Sequence, residues 1–278
     1  MVYFRLHTIG ATMFQSDFHL HSNHSFDSRT AMAEVCRQAV TKNFAEICFT
    51  EHFSLDPHLP TYGHLDWDLY NADILQNRGV FDGVLSIRKG IEICEPHRDL
   101  SGYRQIFANE PMDFILGSVH NISGLKLRFL LRDSGRDKAY AAFFEETLAM
   151  VQNADIDGAA HLDLIKRYSK EPFSDQDLAC NIKVIEKILQ TIIDRKLVLE
   201  INTSTLRSLG QTMPAENILL IYRSIGGTMI SLGSDSHTGD SLGYGFDYGR
   251  LIALKCGFTE FCTFEQRKAI PRIIGIEN

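Results

Sequence analysis

Short apolar runs alternate with amphipathic stretches along the chain. The runs Phe14–Phe18, Ile47–Thr50, Val84–Ile93 (broken by Arg88, Lys89 and Gly90), Phe114–Val119, Gly158–His161, Leu197–Ile201 and Thr228–Leu232 read as strands. Apolar residues near helical spacing fill the intervals. Met32, Val35, Ala39 and Val40 mark a helix over Ala31–Lys42. Lys138–Asn153 is a second, and Asp175–Arg195 a long third with Ile182, Ile185, Ile188, Leu189 and Ile192 on one face. Pro214–Ile225 places a proline early in a helix, where its missing N–H costs nothing, and Asp247–Cys256 is the last. Seven strand–helix units in series predict parallel pairing through crossovers. A closed or nearly closed α/β barrel is the simplest architecture, with an open doubly wound sheet as its competitor. The longest irregular stretch, Ser54–Asn77, reads as a lid or a long surface loop, and residues 1–12 carry no readable signal.

Length and composition agree with one domain spanning 1–278. The 278 residues suit a single α/β barrel, and 44% apolar with 23% charged residues is a globular balance. The net charge of -7 argues against a broad nucleic-acid footprint. No G-x-G-x-x-G or G-x-x-x-x-G-K-[ST] pattern supports a nucleotide cradle. Six scattered cysteines without a C-x-x-C pair read as thiols in a reducing compartment. No run reaches the ~18 apolar residues of a membrane span. The expectation is a soluble cytoplasmic protein, not bound to membrane.

The 11 histidines change the picture. His19 and His21 end the first strand, His52 the second, His120 the fourth and His161 the fifth; Glu92 lies in the third, and Asp235 and His237 follow the seventh. In a parallel barrel these ends converge on one face. His-x-His presents two imidazoles on one side of a strand. Imidazoles with carboxylates suit zinc, iron or manganese, and such a set exceeds what one ion takes, so two or three divalent ions with a bridging carboxylate are expected. Asp17, Glu51 and Asp163 neighbour these positions and are candidates for fixing imidazole tautomers. Asp163 is also a candidate acid for a leaving alkoxide, or a solvated or helix-capping residue. Arg167 and Arg207 follow strand ends, where a guanidinium fork would hold phosphate or simply be solvated. Asn202 would contact substrate or terminate its strand. Asp66, Trp67 and Asp68 offer a place for a substrate amine, while His58, His64 and His97 read as surface residues or as the lining of the site's mouth.

The segments DFHLHSNHSFDS, FTEH, GIEI, GSVH, HLDLIK, EINTS and GSDSH, spread from Asp17 to about Phe258, together resemble the polymerase-and-histidinol-phosphatase (PHP) superfamily, and most closely its monofunctional histidinol-phosphatase branch. The resemblance implies a distorted (β/α)7 barrel with a trinuclear metal site at the C-terminal ends of the strands. It implies a first ion on His19, His21, Glu92 and Asp235, and a second on Glu92, His120 and His161. The third would take His52, His237 and Asp27, where many relatives carry histidine in place of Asp27. His24 lies three positions too early for that role. Arg167 and Arg207 are implied as phosphate clamps.

Phosphate monoesters hydrolyse so slowly that the site must supply on the order of 20 kcal/mol. Paired ions sharing a hydroxide, with a third on the phosphate oxygens, would meet that demand. The leading expectation is therefore a metal-dependent phosphatase cleaving a small phosphorylated substrate, L-histidinol phosphate first. Another phosphate ester, such as a nucleotide or phosphotyrosine, is the alternative. A silent metal-binding module is a third reading. An amidohydrolase is a fourth, weakened because no lysine stands where His120 ends the fourth strand.

Overall fold

Alternation of inward and outward side chains builds the sheet. In the second and third strands Ile47, Phe49, Phe53, Ile87, Ile91 and Ile93 join the large outer core beneath the helices, while their neighbours Cys48 and Glu92 are also fully buried. Strands covered on both faces in this way belong to a parallel sheet wrapped in helices. The computed structural model describes residues 14–275. The stretch 1–12, unreadable in the sequence, lies outside them.

In chain order the elements are β1 (Ser16–Leu20), α1 (Met32–Thr41), β2 (Glu46–Phe53), α2 (Trp67–Val80), β3 (Ser86–Cys94), α3 (Leu100–Asn109), β4 (Phe114–Ser118), β5 (Asn121–Ile122), β6 (Leu125–Lys126), α4 (Leu127–Ser134), α5 (Arg136–Asn153), β7 (Gly158–Ala159), α6 (Ile165–Ser169), α7 (Asp175–Asp194), β8 (Val198–Asn202), α8 (Leu206–Leu209), α9 (Glu216–Ser224), β9 (Ile230–Gly233), α10 (Phe246–Lys255), β10 (Glu260–Glu265) and β11 (Lys268–Ile273). The principal sheet runs β1-β2-β3-β4-β7-β8-β9, every pair parallel. Its outer strands approach each other: the His21 amide donates to the Ser236 carbonyl at 2.8 Å and the Asp235 amide to the His19 carbonyl at 2.7 Å. The sheet is thus a nearly closed barrel of seven strands, seamed between β1 and the turn after β9.

One end of the barrel is plugged by the antiparallel β10–β11 hairpin. The Phe264 ring packs at a tilt 4.6 Å from Phe114 and 6.3 Å from Phe18, in a second apolar cluster with Cys48, Leu116, Val198 and Cys262. The register of β1 against β2 slips between Asp17 and Leu20, so β1 advances three residues while β2 advances two. This extra residue is a bulge, a device common beside active sites. It lets Phe18 join the plug while His19 also enters the barrel.

The strand and helix expectations hold to within a few residues, with three departures. The irregular stretch Ser54–Asn77 ends in α2, whose N-cap is Asp66, its carboxylate accepting from the Leu69 amide at 3.1 Å. Asp66 is therefore a helix cap. The proline of α9 precedes the helix: Ala215 is the N-cap and Glu216 the first residue. Helices α3 and α4 and the C-terminal hairpin have no counterpart in the sequence reading.

Candidate metal centre

Two ligand candidates leave the strands on strained backbone. His161 has φ 24° and Asp235 φ 53°, in the left-handed region that non-glycine residues rarely adopt. Such strain persists where the surroundings over-determine it. Here the Glu200 carboxylate accepts from the His161 amide at 2.7 Å, and the seam holds Asp235.

The inward side chains meet around Glu92, which is completely buried. One oxygen, Oε1, lies 3.0 Å from His161 Nε2 and 3.6 Å from His120 Nε2. The other, Oε2, lies 3.2 Å from His19 Nε2, 3.6 Å from His21 Nε2 and 2.9 Å from His52 Nδ1. Asp235 Oδ1 stands 3.6 Å from His19 Nε2 and 3.5 Å from His21 Nε2. Asp27 Oδ2 faces His237 Nε2 at 3.3 Å and His52 Nε2 at 3.6 Å. All nine side chains named from the sequence gather in one place. His19, His21 and Glu92 form one mutually close set, Glu92, His120 and His161 another, and His21, His52 and His237 a third.

Most of the imidazoles are oriented from behind. His19 Nδ1 meets Glu200 at 2.5 Å, His21 Nδ1 meets Ser25 Oγ at 3.0 Å, and His237 Nδ1 meets the Asp235 carbonyl at 3.0 Å. His120 Nδ1 lies 3.3 Å from both Cys94 Sγ and Ser118 Oγ. In each case Nε2 is left to face the cluster, the arrangement expected of a ligating imidazole. His21 Nε2 and His52 Nδ1 are buried without a well-directed hydrogen bond, His52 Nδ1 even though Glu92 lies 2.9 Å away. A cation between the rings would satisfy both atoms, and imidazole nitrogen with carboxylate oxygen is the donor set of zinc and similar divalent ions.

Electrostatics agree. Burial raises the cost of ionising Glu92, yet His52, His19 and His120 outweigh it and hold the carboxylate well below its ordinary range. Burial opposes ionisation of Asp235 too, and His19 and Arg167 prevail. Burial pushes His120 down to about 3, and burial with His237 and His52 lowers His21 well below its usual value. Those two rings are neutral near pH 7, with lone pairs free to bind a metal.

The remaining sequence candidates divide. Arg167 borders the centre: its Nη2 donates to Asp235 Oδ2 at 2.7 Å and to Ser204 Oγ at 2.5 Å. It lines an open cavity of about 220 Å³ over the cluster, with Asp27, His52, His120, Asp235 and His237. Arg207 does not join it; exposed, it stacks on the Tyr244 ring at 4.0 Å. Asn202 is buried and committed, donating to Glu200 and accepting from the Ser204 amide and hydroxyl. Asp163 is fully buried beside the start of α6. Its Oδ2 pairs with buried Lys166 at 2.7 Å and accepts from the Ala215 amide at 3.0 Å, a structural tie between α6 and the start of α9, while its Oδ1 is buried without a partner. Of the other tautomer-fixing candidates, Glu51 acts through Ser25, whereas Asp17 holds the Ser234 and Gly243 amides and touches no imidazole ring. His24 turns away from the cluster to Asp73, at 2.9 Å.

The sequence reading missed Glu200, the acceptor behind His19, although it lies within the EINTS segment already singled out. It also missed Cys94, two residues past Glu92 on the same inward face, and the cavity residues Lys126, Arg128 and Tyr168.

Comparison with known proteins matches this architecture. The PHP domain family matches residues 17–204. A probable histidinol-phosphatase of Clostridium acetobutylicum is 31% identical over 254 residues, covering 86% of this chain and 93% of that protein. The histidinol-phosphatase of Lactococcus lactis is 28% identical over 263 residues, covering 91% and 95%. The crystal structure of the Lactococcus lactis histidinol phosphate phosphatase, complexed with zinc, L-histidinol and phosphate, superposes with a TM-score of 0.82 at 27% identity, covering 93% of this chain and all of that one (100%). A barrel with a histidine- and carboxylate-rich centre at the strand ends defines a metal-dependent hydrolase. The chain belongs to the PHP domain family.

Proposed function

We propose that this protein is a metal-dependent phosphomonoesterase that hydrolyses L-histidinol phosphate to L-histidinol and phosphate. The observation that carries the reading is the Glu92 carboxylate, whose two oxygens each face a separate set of imidazoles, with the Arg167 guanidinium directly beside them. The names and the bound zinc, L-histidinol and phosphate of the Lactococcus lactis relative support the substrate.

The residues would hold three ions: one on His19, His21, Glu92 and Asp235; one on Glu92, His120 and His161; and one on His52, His237 and Asp27. Zinc, manganese and iron all suit this donor set, and a carboxylate at Asp27 favours the harder members. Bound divalent ions supply a strong nucleophile at neutral pH and neutralise phosphate charge. The chain's own part is to position and exclude. Arg167 presents a donor fork beside the cluster, suited to phosphate oxygens. Glu200 accepts from the His19 Nδ1–H, which would leave Nε2 to face an ion. The barrel plug keeps water from the cluster's underside.

Among the described residues no helix is long and apolar enough to cross a membrane. The six unpaired cysteines suit the cytoplasmic placement that we propose.

The test is release of inorganic phosphate from L-histidinol phosphate by protein loaded with zinc, manganese or iron. Activity should vanish with chelator and return with metal, and metal analysis should find two to three ions per chain. Metal-loaded protein without phosphate release would overturn the substrate, and protein that retains no metal would overturn the centre.

A further inference from the structure

The cavity over the centre carries more positive charge than one phosphate ester uses. The β5–β6 hairpin leaves the barrel directly after His120 and is anchored there by Glu95, whose carboxylate accepts from the His120 amide at 2.5 Å and the Asn121 amide at 2.7 Å. Asn121 pairs with Lys126 across the hairpin, and α4 follows at once. Lys126 and Arg128 therefore stand at the cavity wall, which they share with Phe26, Leu59, Arg167 and Tyr168.

Their placement works against the helix. Lys126 occupies the N-cap of α4, makes no capping bond, and no acidic residue stands in the first turn. Helix starts favour Ser, Thr, Asp or Asn at the cap and acids in the first turn, because the N-terminus carries partial positive charge. Two exposed cations there are mildly unfavourable, and an anion between them would relieve the cost. Among the described residues neither side chain has an ion pair, and Arg128 only lies over the Phe129 ring, 4.7 Å away. The cavity's only acids, Asp27 and Asp235, already face the metal centre. A local rule broken without compensation is characteristic of a functional position.

The geometry points to Lys126 and Arg128 as a second anion subsite, which receives a carboxylate or further phosphate group on the distal end of a phosphomonoester whose ester phosphate lies at the metal centre. This inference rests on the phosphomonoesterase reading and extends it to a substrate class beyond L-histidinol phosphate, which carries no second anion.

The experiment compares matched esters with and without a distal carboxylate at two spacer lengths: 3-phosphoglycerate against glycerol 3-phosphate, and 6-phosphogluconate against sorbitol 6-phosphate. Zinc-loaded enzyme should favour the carboxylate in kcat/KM by about tenfold in at least one pair, the scale of one charge-assisted hydrogen bond. In the Lys126→Met/Arg128→Gln double variant that ratio should collapse toward one, through loss on the carboxylate-bearing ester. Ratios near one in the parent enzyme, or a preference that survives in the variant, would overturn the subsite. A parallel fall on both members of each pair would also overturn it, by assigning the two cations to the ester phosphate. Calorimetric dissociation constants for the same four compounds apply the same criterion if none is turned over. L-histidinol phosphate in parallel separates failure of the subsite from failure of the phosphatase reading.

Discussion

His237 and Asp27 show at the level of single side chains how protons and metal compete. Burial pulls the His237 imidazole down, but the Asp27 hydrogen bond and the Asp235 charge outweigh it and raise it from 6.5 to about 9. Without a cation, that ring is protonated at neutral pH and paired with Asp27. A raised basic group stabilises fully below its unfolded value and loses that contribution as pH climbs through the folded one. Chelator-treated protein should therefore lose on the order of 1–2 kcal/mol between pH 6.5 and 9, allowing for the partly exposed Asp27. Urea titrations at both pH values measure this, and His237→Gln should flatten the difference. Behind the centre, Glu200→Gln should weaken zinc binding about 10–100-fold, by loosening His19, while leaving the fold intact. Competition with a calibrated chelator reads the constant, and unchanged affinity would refute the tautomer-fixing role. Eight of the nine ligand candidates were legible because each is a titratable residue in or just past the C-terminal half of a strand, where convergence needs no further information; Asp27, in the turn after β1, was reached only through the family resemblance. The candidates beyond these nine were less so. Asp163, Asn202 and Arg207 have the right neighbours in sequence, but the turn after each strand sends their side chains to Lys166, to Glu200 and Ser204, and to Tyr244.

Elements were legible where apolar periodicity matched burial and hidden where it did not. In α7 the buried face holds Ile185, Ile188, Leu189 and Ile192, as its spacing predicts. In α2 the apolar residues mislead: Leu69, Leu75 and Val80 are exposed, while the helix rests on Tyr70, Ile74 and Asn77. That mismatch is why a helix passed for an irregular stretch. The hairpin was hidden for another reason. β11 carries Lys268, Pro271 and Arg272, poor strand formers that an edge position tolerates. Its partner β10 contributes Phe264 to the barrel floor, in tilted contact with two other rings. Truncation to Phe264→Ala should cost about 3–5 kcal/mol. A lowered urea midpoint with metal content retained would identify the hairpin as a plug; an unchanged midpoint would argue against it.

Across the whole molecule the metal centre and the barrel seam coincide. β1 brings His19 and His21 to one side of the seam, and the turn after β9 brings Asp235 and His237 to the other, with few backbone bonds joining them. Cations held between these four side chains would clasp the first and last strands together, so metal loading and closure of the sheet reinforce each other. The order of synthesis then matters. All seven barrel strands are synthesised before Asp235 and His237 emerge, so every growing intermediate offers an incomplete cage. Full cation capture can only follow translation of the last barrel strand, and it reports that the sheet has come round to meet its first strand.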